Sequence, residues 1–269
     1  MKKRLIVGLV CLAEALTSSA ADINHIRQVY DLILSPLAGQ IPPTPDQIFN
    51  ALDGLTDLSA DETSSILPLA RRCLNFPDLE VRRAGMLMLL SVSLRPDSHK
   101  LLEPYIDDLG AVVKGGNSPL RAGALNILGS THPVSGSKAA GILKASLRAE
   151  NSPVGELIIA ASGLLQASSS SPDLVHDVLM ATELRSNGAL TSAVIRELGN
   201  LKIRGSESLA FIEKGLRSTD VYTRGAALQS VAWFEPETRS KFRQHIYEIA
   251  NDANETPEVR SQARALLNK

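Results

Sequence analysis

Histidine at 25, 99, 132, 176 and 245 and cysteine at 11 and 73 are the side chains of this 269-residue chain best suited to bind a metal or act as a nucleophile. Two ligands on one helix face sit three or four residues apart, and no His or Cys here has a second one at that spacing. The carboxylates give no better lead. Asp107 and Asp108 are adjacent, so on a helix they diverge, which suits a solvated face rather than paired acid–base work. No Gly-x-Ser-x-Gly, phosphate-loop or dinucleotide fingerprint occurs. Cys73 lies among Leu69, Ala70 and Leu74 and reads as a small buried hydrophobe. The expectation is therefore no cofactor, no metal, no catalytic residue and no enzymatic activity. The enzymatic alternative is a site assembled across distant segments.

The elements that would position any binding residue are more legible than the chemistry. Val81, Leu120, Val154, Leu190, Val221 and Val259 recur 31 to 39 residues apart, the period of two-helix repeats. Three residues before each anchor stand Asp78, Asn117, Asn151, Asn187, Ser218 and Thr256, all types that accept hydrogen bonds from the orphan amides of a helix start. Pro119, Pro153 and Pro257 fall just inside, where a missing N–H is harmless. Four residues after the anchors, Gly85, Ala124, Gly225 and Ala263 permit close helix approach, with Ile158 and Val194 at the other two. Eight after come Leu89, Leu128, Ser162, Leu198, Gln229 and Leu267, which completes one buried helical stripe. The segments preceding these helices also read as helical, so the chain is a series of helix pairs. Pro104 is expected to bend or shift the helix over 97–114, and the serine tract 168–171 to be a flexible turn. Aromatics are 4% of the chain, which fits stacked helices built from Leu, Ala, Val and Ile.

This pattern resembles HEAT repeats. The resemblance rests on Leu79-Glu80-Val81-Arg82, Pro119-Leu120-Arg121 with Leu128-Gly129, Leu198-Gly199, and Pro257-Glu258-Val259-Arg260, and it covers residues from about 59 to 269. It implies an all-α fold, a right-handed α-solenoid of stacked antiparallel helix pairs of the HEAT/armadillo type. It also implies that the arginines after the anchors, Arg82, Arg121 and Arg260, pair with acidic groups of an adjacent repeat. Gly155, Thr191 and Tyr222 depart from the pattern by replacing that arginine. Some HEAT-like proteins are metal enzymes built on paired His-Glu motifs, and no His-Glu dipeptide occurs here.

Residues two or six positions after the anchors lie opposite the buried stripe. Arg83, Asn126, Glu156 and Arg196 are therefore the expected partner-facing strip, on the second helices that line the concave surface in such folds. Six of the ten aromatics, Phe211, Tyr222, Trp233, Phe234, Phe242 and Tyr247, fall in the last two pairs. Most suit core packing, with Tyr222 and Trp233 as candidate recognition residues.

Residues 1–21 have the form of a secretory signal peptide: Lys2, Lys3 and Arg4, the apolar run 5–13, then small residues that permit cleavage after Ala20 or Ala21. That run is too short to span a bilayer, so no stable membrane insertion is expected after cleavage. Residues 22–58 read as N-terminal capping helices and 59–269 as the repeat array. A net charge of −1 gives no electrostatic case for nucleic acid. The resulting expectation is a periplasmic or secreted, non-enzymatic scaffold that binds a protein or peptide on the concave surface of a solenoid. Besides an enzyme, the alternative is a structural component of an envelope assembly.

Overall fold

The computed structural model describes residues 60–268 except 76, 78, 96 and 170. The expected signal peptide at 1–21, the capping helices at 22–58 and the Asp78 cap lie outside the described residues. The described chain is helical, with no strand among the described residues, and it divides into two compact units that part between Thr131 and His132.

In the first unit, α1 (Ala60–Leu74) pairs with α2 (Leu79–Ser93). The next first helix is broken where Pro104 stands: α3 (Ser98–Leu102) passes through a 3-10 turn (Glu103–Tyr105) into α4 (Ile106–Gly115). Proline supplies no amide to the helical ladder, so the backbone tightens there instead of continuing. Helix α5 (Ser118–Ser130) packs against both α4 and α2, so α2 and α5 form one layer and α1 and α4 the other. Gly85 allows the α1–α2 approach, since a Cβ there would lie 2.7 Å from the Ala70 carbonyl and 2.8 Å from Cys73 Cβ. Cys73 is buried as expected. Arg71 ties the two pairs together. Its Nε donates to Asp108 at 2.7 Å, and its guanidinium lies 4.4 Å from the Tyr105 ring centroid. Asp108 is thus an inter-pair tether rather than a solvated acid.

In the second unit the pairs are α6 (Lys138–Arg148) with α7 (Val154–Gln166), α8 (Asp173–Arg185) with α9 (Gly188–Asn200), and α10 (Ser206–Leu216) with α11 (Val221–Trp233). The last pair is α12 (Pro236–Ser240) and α13 (Arg243–Asn251) with α14 (Pro257–Leu267). Second helices stack in the order α7, α9, α11, α14, and first helices in the order α6, α8, α10, α13. A 3-10 turn over Ala167–Ser169 opens the serine tract. Ser168 and Ser171 are buried, and Ser171 Oγ accepts from the Ser135 amide at 2.9 Å.

Three caps stand where the sequence places them: Asn117, Asn187 and Thr256 accept from Leu120, Leu190 and Val259 at 3.2, 3.0 and 3.4 Å. Two do not. Helix α11 is capped by Asp220, which accepts from the Thr223 amide at 3.0 Å, and α7 begins after Pro153 with no side-chain cap. Ser218 and Asn151 are each displaced by two residues. With the caps corrected the buried stripe is regular. The third residues after the caps are Leu120, Glu156, Leu190, Thr223 and Val259, and the seventh are Ala124, Ala160, Val194, Ala227 and Ala263, all buried. At the eleventh, Leu128, Leu164, Leu198 and Val231 are buried. Small residues at the seventh position bring neighbouring axes close while the large ones fill the gaps between them. Each fully buried Leu or Val of the stripe contributes roughly 1.5–3 kcal/mol.

Candidate protein-binding face

The corrected register decides which of the expected residues are exposed. Arg83 on α2 and Asn126 on α5 are exposed on adjoining second helices of the first unit. Arg196 on α9 and Tyr222 and Trp233 on α11 are exposed on adjoining second helices of the second unit, with Tyr222 77% and Trp233 37% accessible. Glu156 is the correction. It is only 5% exposed, because the start of α7 after Pro153 puts it at the stripe position that Leu120 and Leu190 hold elsewhere.

In the second unit the outer face of the second helices repeats as regularly as the buried one. The ninth residues after the caps are Ser162, Arg196, Gln229 and Ala265, and the thirteenth are Gln166, Asn200 and Trp233. On the α7 side the polar groups are already engaged. Glu197 accepts from Ser162 Oγ at 3.1 Å and from Gln166 Nε2 at 3.3 Å. On the α9–α11 side they are not: Arg196, Asn200 and Gln229 make no side-chain hydrogen bond or ion pair among the described residues. Tyr222 lies 11 residues before Trp233 on the same helix, about three turns or 16 Å.

Beneath this face the helices are joined by buried contacts. Residue n of α9 meets residue n + 31 of α11. Ser192 Oγ lies 3.1 Å from Thr223 Oγ1, and a Cβ on Gly199 would come within 2.5 Å of Ser230 Cα. Thr223 Oγ1 donates to the Asp220 carboxylate at 2.5 Å, a hydrogen bond that holds that acid below its usual range. One residue on, Arg224 donates Nε and Nη2 to Glu255 at 2.5 and 2.7 Å and Nη1 to the Ser218 carbonyl at 2.7 Å. Its hydrogen bonds hold Glu255 low and push Arg224 up. Arg224 follows the buried Thr223 as Arg121 follows Leu120, so it is the arginine whose loss at Tyr222 the sequence implied. Arg260, at the same position in α14, donates instead to the Asp252 and Ala253 carbonyls at 3.4 and 3.3 Å.

The histidines are distributed differently. His176 lies 3.1 Å from Glu207, while His245 sits between Glu213 at 2.9 Å and Glu248 at 3.2 Å, all on first helices. Among the described residues no group of three His, Cys, Asp or Glu side chains could hold a metal ion, and no helix is long and apolar enough to cross a membrane.

No family model matches the chain, and no curated protein matches it. Solved structures do. A mutant of Kap121p, a HEAT-repeat karyopherin, superposes on 96% of this chain with a TM-score of 0.54 at 13% identity, and this chain spans 28% of that one. An engineered protein matches 89% of this chain and 67% of its own at 15% identity and a TM-score of 0.48. Computationally designed armadillo repeat proteins for modular peptide recognition match 90% of this chain and 98% of their own at 13% identity and a TM-score of 0.39. With its stacked helix pairs and the Kap121p likeness, the chain has the HEAT/armadillo-like repeat fold.

Proposed function

We propose that the chain is an exported, non-enzymatic scaffold that holds a protein or peptide partner on the outer face of its second helices. One observation carries the reading. Tyr222 and Trp233 stand exposed on one face of α11, beside polar side chains that have no partner of their own, over helices locked by buried contacts. Amphipathic aromatics on a rigid support are the residues that anchor protein interfaces, because they bury much area for little conformational entropy. Stacked helix pairs bury only their stripes and leave such a face continuous within the unit.

Export rests on the first 21 residues: a basic start, an apolar run and small residues at the expected cleavage position. The test has two parts. N-terminal sequencing of the protein recovered outside the cytoplasm is expected to begin at Ala21 or Asp22, and an intact Met1 terminus overturns export. Retention of a partner by the wild-type chain, and its loss on replacing Tyr222 and Trp233 by Ala with the thermal midpoint preserved, is the expected binding result. Equal retention by the variant overturns the assigned face.

A further inference from the structure

One exposed turn carries a motif that partner binding does not use. Asn254-Glu255-Thr256 is the only Asn-x-Ser/Thr triplet in the chain, and its middle residue is not proline. Asn117 and Asn151 come near it, but each is followed by Ser and then Pro, which leaves no hydroxyl at the third place. We propose that Asn254 is the acceptor of an N-linked oligosaccharide. This step rests on the export reading above, because such acceptors belong to chains that leave the cytoplasm.

The fold presents the acceptor and anchors what flanks it. Residues 252–254 are exposed between the end of α13 and the start of α14. The Asn254 backbone amide donates to the Asp252 carboxylate at 2.9 Å, which closes a tight turn. The side-chain amide of Asn254 makes no hydrogen bond among the described residues. Its neighbours hold the turn instead. Glu255 is buried and bonded by Arg224, Arg260 donates to the Asp252 and Ala253 carbonyls, and Thr256 caps α14. A sugar chain on Asn254 therefore displaces no hydrogen bond of the fold. The cap uses only an acceptor lone pair of Thr256, whose oxygen receives the Val259 amide. Its hydroxyl proton is left to be donated to a transferase that reads the third place of the triplet.

The step is a glycosyl transfer whose donor is an oligosaccharide carried on a lipid pyrophosphate. The side-chain nitrogen of Asn254 attacks the anomeric carbon of that donor. A C–N bond forms and the C–O bond to the pyrophosphate breaks. The lipid pyrophosphate leaves with the bonding electrons, and the nitrogen gives up one proton. Nothing is oxidised or reduced. The product is a bulky, hydrophilic group on the turn ahead of α14, outside the buried stripe.

Tandem mass spectrometry of the peptide containing residue 254, in the full chain recovered from cells that make it, tests this when the N-terminus of the same sample is sequenced. The expected outcome is a series of sugar masses on Asn254 in a chain that begins at Ala21 or Asp22. Asn254→Gln should lose the sugar. Thr256→Asn should lose it as well while keeping its thermal midpoint, since asparagine caps a helix at least as well as threonine. Thr256→Ser keeps both the cap and the hydroxyl and should keep the sugar. An unmodified Asn254 in a chain that begins at Ala21 or Asp22 overturns the proposal and leaves export standing. An unmodified Asn254 in a chain that retains Met1 overturns both. Sugar that persists in Thr256→Asn, or is lost in Thr256→Ser, overturns the assignment to this triplet.

Discussion

Glu255 receives both Nε and Nη2 of Arg224, at 2.5 and 2.7 Å, in a site where the two side chains keep 3% and 17% of their accessible surface. The pair joins α11 to the loop preceding α14, so it fixes one repeat on the next rather than holding a ligand. Removing one partner strands a buried charge, and Arg224→Ala is expected to cost about 3 kcal/mol. Replacing both, as Arg224→Met with Glu255→Leu, should recover most of that loss. Urea denaturation measures both, and a double variant as unstable as the single one would contradict the assignment.

The same pair sets an acid limit. Glu255 is held below its ordinary value of 4.5 by its hydrogen bond to Arg224, with the Thr256 amide helping. A depressed carboxylate binds fewer protons folded than unfolded, so its stabilisation is full above the unfolded value and is lost as the pH falls through the folded one. Asp220, lowered by Thr223, has the same sign. The stability gap between wild type and Glu255→Gln should therefore be widest near neutrality and narrow as the pH falls below the ordinary 4.5 toward the lowered folded value. Thermal midpoints from pH 7 to pH 3 test this, and a gap that stays constant would contradict it.

Two glycines should respond in opposite directions to the same change. Gly199→Ala places a Cβ 2.5 Å from Ser230 Cα, against backbone that cannot yield. Destabilisation of about 1–3 kcal/mol is expected, as for overpacking elsewhere. Gly141, inside α6, has nothing within 4 Å of its would-be Cβ, so Gly141→Ala should stabilise by up to about 1 kcal/mol through helix propensity. Ser230 Oγ is itself buried without a partner, so Ser230→Ala should be neutral or stabilising. Guanidinium melts of the three variants check the signs.

Helix caps give a test of register. Asp220→Ala and Asn187→Ala should each cost about 1 kcal/mol, since each accepts the amide three residues on. Asn151→Ala should fall within about 0.5 kcal/mol of wild type, because Asn151 caps nothing. Equal losses at Asn151 and Asp220 would restore the register expected from sequence.

Much of the fold was legible because capping residues, prolines and the small-large stripe carry one consistent message at Asn117, Asn187 and Thr256. The message blurred where two capping types compete, as Ser218 and Asp220 do. Gln229, which the Ser218 register would have buried, was the available signal that the true stripe runs through Thr223, Ala227 and Val231. In α7 the corresponding signal pointed the other way, because the stripe itself holds the charged Glu156 and a periodicity argument assigns a charge to water. The proposed face was legible in part: Arg196, Tyr222 and Trp233 stand exposed on adjoining helices. Gln229 and Asn200 beside them, and the Arg224–Glu255 tether beneath, depend on the inter-helix register, which a single chain's pattern does not contain.

The central claim is that second helices, not first helices, hold the partner. A photocrosslinking amino acid at Gln229 on α11, compared with one at the exposed Leu184 on α8, tests it most directly in cells that make the chain. A discrete protein adduct from position 229 and none from 184 is the predicted result. An adduct from 184 alone, or from neither, would contradict it.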